Sequence, residues 1–92
     1  MGEGILIRYG GHLPRVTNKQ EERMAFDTDL SLSLLLTKIH ERYKDSPESR
    51  FLGDTRSFLI TLNGKFVPAS HFDEVFVRDG DVLNLLPPVS GG

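Results

Sequence analysis

The stretch DGDVLNLLPPVSGG, residues 79–92, decides the predicted fold of the C-terminal part of this chain. Asp79-Gly80 is a turn pair, and the residues after it alternate between two faces, as side chains do along a β-strand. One face holds Val82, Asn84 and Leu86, and the other holds Leu83 and Leu85. Proline fixes its own backbone angle and holds its predecessor extended. Two prolines at positions 87 and 88 therefore predict a stiff exit from the last strand.

Directly upstream, SFLITLNGKFVP (residues 57–68) predicts a β-hairpin. Asn63-Gly64 is the pair best suited to a two-residue connection between antiparallel strands. In the strand before this turn, Phe58, Ile60 and Leu62 alternate with Leu59 and Thr61. The return strand begins at Phe66 and Val67 and ends at Pro68, because proline cannot donate to the ladder.

The N-terminal segment GILIRYGG, residues 4–11, has the same period of two and predicts the first strand. Ile5, Ile7 and Tyr9 share one of its faces. Residues 12–23 are polar and turn-rich, so we expect a loop there. The short run RMAFD, residues 23–27, predicts a second strand with Met24 and Phe26 on one face.

Between these strands, LSLSLLLTKIHERYKD (residues 30–45) predicts a helix. Its apolar residues recur every three or four positions and form one stripe of Leu32, Leu35, Leu36, Ile39 and Tyr43. Ser31 is the best N-cap, with Leu30 and Leu35 at the two positions of a hydrophobic staple. Pro47 requires that the helix has ended by about Asp45.

The order strand, strand, helix, strands predicts an α+β fold, in which one main helix covers a mixed sheet of four to five strands. A helix between a hairpin and a later strand also permits parallel pairing of the first and last strands. We expect a single domain over residues 1–86 and a flexible Gly-Gly tail over residues 87–92, with the chain leaving the sheet from its middle.

Composition excludes several classes of function. The chain has 92 residues, 38% hydrophobic and 26% charged, which is typical of a globular domain. Its net charge of −2 disfavours nucleic acid and an anionic membrane as partners. The absence of cysteine excludes disulfides and a thiol nucleophile. No apolar run reaches the ~20 residues of a membrane span, and we see no secretory signal, so we expect a cytoplasmic protein.

The tail itself has a chemical character. Gly91 and Gly92 lack side chains, so they can pass a narrow channel and leave a terminal carboxylate sterically open. A carboxylate becomes an electrophile once it is adenylated. Attack by a sulfur nucleophile would then give a thiocarboxylate, and attack by a lysine amine would give an isopeptide. Both uses require Gly92 to be the last residue of the chain.

The ending LLPPVSGG resembles the C-terminus of the ubiquitin-like sulfur carriers, specifically the small subunit of molybdopterin synthase. The hairpin ITLNGKFVP, the late VRDGDVLNLL strand and the helix LSLSLLLTKIHERY are similar to that family's pattern in position. The resemblance implies a ubiquitin-like β-grasp fold. It also implies ATP-dependent adenylation of Gly92 by an E1-like adenylyltransferase, followed by thiocarboxylate formation and sulfur donation for molybdenum cofactor biosynthesis.

The same resemblance implies the residues and partners of the site. Gly92, with Gly91, would carry the adenylate and the thiocarboxylate, and the tail would enter the large subunit of molybdopterin synthase. Residues that would contact the partners are Tyr9, Phe66, Leu86, Pro87, Pro88, Val89 and Ser90. Tyr9 and Phe66 could instead belong to the core, because an aromatic residue on a strand is often buried. The chain would bind no cofactor, would not be a catalyst alone, and would use ATP only through its activating partner.

Three other functions remain open. The same tail suits a ubiquitin-like modifier of target lysines, and it also suits a sulfur donor for thiamine synthesis or tRNA thiolation. The third is an interaction domain with an inert tail. The three histidines are far apart in sequence, so we expect no metal site. The acidic pairs Asp73–Glu74 and Asp79–Asp81 are better explained as turn formers than as a general acid and base.

Overall fold

Five strands form one mixed sheet, and the long helix packs across a single face of it. The computed structural model describes residues 4–45 and 55–88. In chain order the elements are β1 (Ile5–Tyr9), α1 (Leu13–Thr17), β2 (Glu21–Met24), β3 (Leu30–Ser31), α2 (Leu32–Tyr43), β4 (Leu59–Leu62), β5 (Lys65–Phe66), β6 (Phe76–Val77) and β7 (Val82–Leu86). The sheet order is β2-β1-β7-β4-β5, and β3 pairs with β6 in a separate two-stranded sheet.

The last strand occupies the centre of the sheet. β7 runs parallel to β1, with Ile7 opposite Leu83, and antiparallel to β4, with Ile60 opposite Leu85. The first and last strands thus have the parallel pairing that the order of elements permits. Because both edges of β7 are paired, its backbone is fixed up to the point at which the tail begins.

Alternation along the central strands separates an inner face from an outer one. Ile7, Ile60, Leu83 and Leu85 point inward and are buried. They pack in one cluster with the buried stripe of α2, which consists of Leu32, Leu35, Leu36 and Ile39. The outer face carries no helix among the described residues and is therefore the open side of the sheet.

The main helix begins where the sequence predicts. Ser31 has extended backbone angles, and its hydroxyl accepts a hydrogen bond from the N–H of Leu34 at 3.1 Å. The two-stranded sheet supports this start, since Leu30 pairs with Val77 and the N–H of Leu32 donates to the carbonyl of Val75 at 2.7 Å. The helix ends at Tyr43, before Asp45, as expected.

The predicted hairpin is also confirmed, and it makes a contact that the sequence did not reveal. Asn63 and Gly64 have φ values of 53° and 85°, as a two-residue turn of this kind requires. The Asn63 side chain accepts a hydrogen bond from the N–H of Val82 at 2.9 Å and donates one to Asp81 at 3.0 Å. The β4–β5 turn is thereby tied to the start of the central strand.

Two expectations for residues 12–27 are wrong. The expected loop contains the short helix α1, with Pro14 in its first turn and Asn18 ending it at a φ of 61°. The second strand lies earlier than predicted, at Glu21–Met24, and Phe26 falls outside it. A sheet edge tolerates the charged sequence of β2, so apolar alternation was a poor guide there.

Within residues 4–45 and 55–88, no helix has the length and apolar character needed to cross a membrane.

Candidate functional site at the root of the tail

The chain leaves the domain through two prolines with different environments. Pro87 is buried and Pro88 is exposed. The carbonyl of Leu85 accepts a hydrogen bond from the N–H of Gly10 at 2.9 Å, which extends the β1–β7 contact to the end of β7. Burial therefore places the transition from domain to tail between Pro87 and Pro88, one residue later than the predicted boundary after Leu86.

Two glycines at the end of β1 make room for this exit. A Cβ on Gly10 would lie 2.9 Å from Cδ1 of Leu86 and 3.2 Å from the Leu85 carbonyl oxygen. A Cβ on Gly11 would lie 3.1 Å from Cγ of Pro87, and Gly11 also has a φ of 55°. A side chain at Gly10 would therefore require the end of the Leu86 side chain to move, and one at Gly11 would require Pro87 to give by a few tenths of an ångström.

Beside the exit, the outer face of the sheet carries an exposed apolar patch of three residues. Phe66 is 59% exposed, Leu59 49% and Leu86 44%. Leu59 and Leu86 are direct cross-strand partners, and Phe66 lies on β5, one strand further from the exit. We call Leu59, Phe66 and Leu86 the outer patch. Phe66 and Leu86, two of the residues predicted to contact partners, are thus exposed on the outer face together with Leu59, and their role in docking stays a prediction.

Leu59 was missed because it alternates with core residues like any outward residue of a strand. The register supplies the missing signal, since it places Leu59 directly opposite Leu86.

Tyr9 does not lie on this patch, so its expected exposure is wrong. It is 4% exposed and points to the inner face with Ile5 and Ile7. Its hydroxyl donates a hydrogen bond to Oε2 of Glu22 at 2.6 Å. The alternative that Tyr9 belongs to the core is the correct one.

Glu22 joins Tyr9 to the end of α2. The Tyr43 hydroxyl donates to the same Oε2 atom, and the two tyrosine rings meet edge to face with centroids 6.3 Å apart. The Glu22 side chain is only 6% exposed, and Lys19 and Arg42 form ion pairs with it at 3.4 and 3.3 Å. This group fastens the edge strand β2 to the helix.

The titration of this group follows from its contacts. Burial alone would raise the pKa of Glu22, but hydrogen bonds from Tyr43 and Tyr9 and the charges of Arg42 and Lys19 hold it below its ordinary value. Burial and the hydrogen bond to Glu22 raise the pKa of Tyr43 to about 12. Burial, reinforced by Glu22, also raises the pKa of Tyr9. The folded state therefore favours a charged Glu22 between two neutral phenols.

An open groove of about 340 Å³ lies on the outer face next to the exit, lined among others by Arg8, Gly10, Asn84 and Leu86. Arg8 and Glu21 form an ion pair of 3.4 Å at its side. Exposed ion pairs of this kind stabilise a fold little. The groove and the outer patch form one continuous surface, because Leu86 belongs to both.

The remaining predicted site residues are Val89, Ser90, Gly91 and Gly92, which lie outside the described residues. Their roles stay predictions. The described part of the chain includes all three histidines and contains no group of three or more His, Asp or Glu side chains placed to hold a metal. Asp81 accepts hydrogen bonds from the Arg78 N–H and from Asn63, which is the turn-forming role expected of it.

Comparison with known proteins decides the family. A model of the ThiS family matches residues 7–92, which includes the final two glycines. The chain belongs to the ThiS family. It is thus a ubiquitin-fold sulfur carrier, and the sheet with one main helix described above is the β-grasp fold that the sequence predicts.

Solved structures share this fold with the ThiS-family chain. SAMP1 from Haloferax volcanii is 25% identical, with a TM-score of 0.72, over 96% of this chain and 98% of that one. A putative molybdopterin converting factor subunit 1 from Pyrococcus furiosus is 20% identical, with a TM-score of 0.69, over 92% and 97%.

A third match is a complex of subunits 1 and 2 of molybdopterin-converting factor from Helicobacter pylori. It is 23% identical, with a TM-score of 0.58, over 96% of this chain and 97% of that one. A search among curated proteins gave no significant match for this ThiS-family chain.

Proposed function

We propose that this sulfur carrier is the small subunit of a molybdopterin synthase and donates sulfur from a thiocarboxylate at Gly92. The observation that carries the proposal is the family match through Gly92, the last residue of LLPPVSGG. Two structures with the same fold bear the name molybdopterin converting factor, which supports the pterin branch of the family.

The chemistry proceeds in two balanced steps. A carboxylate oxygen of Gly92 attacks the α-phosphorus of ATP held by an E1-like adenylyltransferase, the α–β phosphoanhydride bond breaks, and pyrophosphate leaves. Hydrosulfide, or a sulfur donor of the same class, then attacks the acyl carbon. A C–S bond forms, the C–O bond to AMP breaks and AMP is released. The S–H proton passes to solvent, which leaves the tail as a thiocarboxylate. The chain itself binds no ATP in this scheme.

The outer patch is the docking surface in this proposal. An exposed apolar patch on a small domain is typical of a binding site. Leu86 lies beside the exit of the tail and Phe66 lies on the same face two strands away. A partner seated on the outer patch would therefore receive the tail at its own active site. The Helicobacter pylori relative is seen with its subunit 2, and we propose the corresponding large subunit as the partner here.

A second candidate is a ubiquitin-like modifier. SAMP1 is 25% identical with a TM-score of 0.72, and the name stands for small archaeal modifier protein 1. The same adenylate would then be attacked by a lysine amine of a target, with loss of AMP and formation of an isopeptide bond. Donation to thiamine synthesis or tRNA thiolation uses the same thiocarboxylate and differs only in the acceptor.

Mass spectrometry of the chain purified from its native cells tests the proposal. An oxygen-to-sulfur exchange on the terminal carboxylate of Gly92 is the expected result. Pulldown of the thiocarboxylated chain with a large subunit that converts a pterin precursor would assign the pathway. If the C-terminus is found only joined to target lysines, the modifier function replaces the proposal. If the C-terminus is not activated, or if the chain in the cell does not end at Gly92, both the carrier and the modifier functions are excluded.

A further inference from the structure

The two glycines at the end of β1 have no role in the proposed chemistry, and yet they lie against the root of the tail. Gly10 faces Leu86 and Gly11 faces Pro87. Neither glycine belongs to LLPPVSGG, so the family ending does not account for them. Gly10 and Gly11 precede the tail by more than seventy residues, so the sequence alone does not indicate their contact with Leu86 and Pro87.

We infer that Gly10 and Gly11 are positioning residues, which fix the direction in which the tail leaves the domain. This inference rests on the proposed function, since direction matters only if Gly92 must reach an active site in a partner. The Gly10 N–H holds the Leu85 carbonyl at 2.9 Å, and Pro87 is buried over Gly11. Both contacts fix the chain immediately before its exposed residue Pro88.

A small shift of Pro87 can change the position of the terminal carboxylate of Gly92. The five residues after Pro87 can span at most about 17 Å, so a change of direction at Pro87 can displace the terminal carboxylate by more than the change at Pro87 itself. A methyl group on Gly11 would press on Pro87 at 3.1 and 3.3 Å, and the proline would have to give by a few tenths of an ångström. Misplacement of reacting groups by about 1 Å can cost a hundredfold in rate. We therefore expect about a tenfold loss for this smaller shift.

The chain offers a matched control for backbone strain. Gly80 also has a positive φ, 90°, but a Cβ there would meet nothing within 4 Å. It lies in the turn before β7, at the opposite end of that strand from the exit. Gly11→Ala and Gly80→Ala both strain the backbone, and only Gly11→Ala touches the tail.

A second variant separates the contact with Pro87 from the effect of backbone strain on folding. Asparagine tolerates the left-handed conformation far better than alanine. Gly11→Asn therefore keeps the Cβ against Pro87 while relieving much of the strain. We expect it to fold with a stability nearer to that of the unchanged chain and to show the same loss of activation as Gly11→Ala.

The experiment measures activation of the full chain by the E1-like adenylyltransferase of the source cells, with ATP and labelled pyrophosphate. Gly11→Ala and Gly11→Asn should lower kcat about tenfold with KM unchanged, because the outer patch is intact, whereas Gly80→Ala should match the unchanged chain. In a Pro87→Gly background, Gly11→Ala should have no further effect. General destabilisation would instead lower activity in both backgrounds.

The outcomes separate the two proposals. Equal kcat for Gly11→Asn and Gly80→Ala, with the unchanged chain fully activated, overturns the positioning role and leaves the carrier function standing. An additive effect of Gly11→Ala and Pro87→Gly overturns it as well. If the unchanged chain is not activated at all, the proposed function fails and the positioning role fails with it.

Discussion

Tyr9 donates a hydrogen bond to Glu22 at 2.6 Å, and this contact places a nearly buried carboxylate on the inner face of the sheet. Tyr43 donates to the same oxygen from the end of α2. An aromatic residue expected on the docking surface thus stabilises the side of the domain opposite the outer patch.

The first prediction concerns Glu22→Gln. Because the pKa of Glu22 is lowered in the folded state, its contribution to the free energy of unfolding is present above the ordinary pKa of 4.5 and is lost as the pH falls through the lowered value. We expect the variant to lose about 2 kcal/mol at pH 7, and the difference to shrink in acid. Urea unfolding measured across pH checks this.

Glu21→Gln is the matched control, since Glu21 is exposed and pairs with Arg8 on the other face. It should change stability by less than about 1 kcal/mol at every pH. Parallel pH profiles for Glu22→Gln and the unchanged chain would contradict the assigned role.

Tyr43 predicts a second pH dependence, in alkali. Because its pKa is raised from 10 to about 12 in the folded state, its contribution to the free energy of unfolding is present below pH 10 and is lost as the pH rises towards 12.

The second prediction concerns the outer patch. Phe66→Ser should weaken binding of the large subunit at least about tenfold, because apolar anchors in the centre of an interface carry much of its energy. Phe76→Ser is its control, since Phe76 is 53% exposed, close to the 59% of Phe66, but lies in the two-stranded sheet. Titration calorimetry with the large subunit measures both. Equal weakening by the two variants would remove the outer patch as the docking surface.

The third prediction concerns the tip of the tail. Deletion of Gly92, or addition of one alanine after it, should abolish the oxygen-to-sulfur exchange, because the acyl group is then displaced or hindered. The melting temperature should not change, since Gly92 comes five residues after Pro87, the last buried residue of the described chain. Intact-mass analysis after incubation with ATP, sulfide and the activating enzyme gives the answer. Full thiocarboxylation of either variant would refute the role of Gly92.

The fourth prediction concerns Asn63→Gly. Glycine keeps the positive φ of the turn but loses the hydrogen bonds to Val82 and Asp81, so we expect a loss of about 1–2 kcal/mol. Asn18→Gly is the control, because Asn18 also has a positive φ and its backbone N–H, which glycine retains, caps α1 at Pro14. Denaturant unfolding of both variants should separate them, and equal losses would show that the side-chain bonds of Asn63 contribute nothing.

The sequence by itself determined the elements with strong local signals. Asn63-Gly64 specified a two-residue turn, Ser31 specified the start of α2, and the alternation in β1 and β7 specified the inner and outer faces. These signals are local, since each depends on backbone conformations or side-chain spacing within a few residues. The family ending also lies in one contiguous stretch, so the sequence was sufficient to recognise it.

Only the tertiary structure decided which distant residues meet. α1 and β2 were missed because five helical residues and a charged edge strand are stabilised by their neighbours more than by their own pattern. Tyr9 was misplaced because its buried hydroxyl is satisfied by Glu22, a partner on another strand. The register alone added Leu59 to the outer patch, and the parallel pairing of β1 with β7 alone brought Gly11 against Pro87. Contacts of this kind depend on strand order and register, which no local pattern of residues encodes.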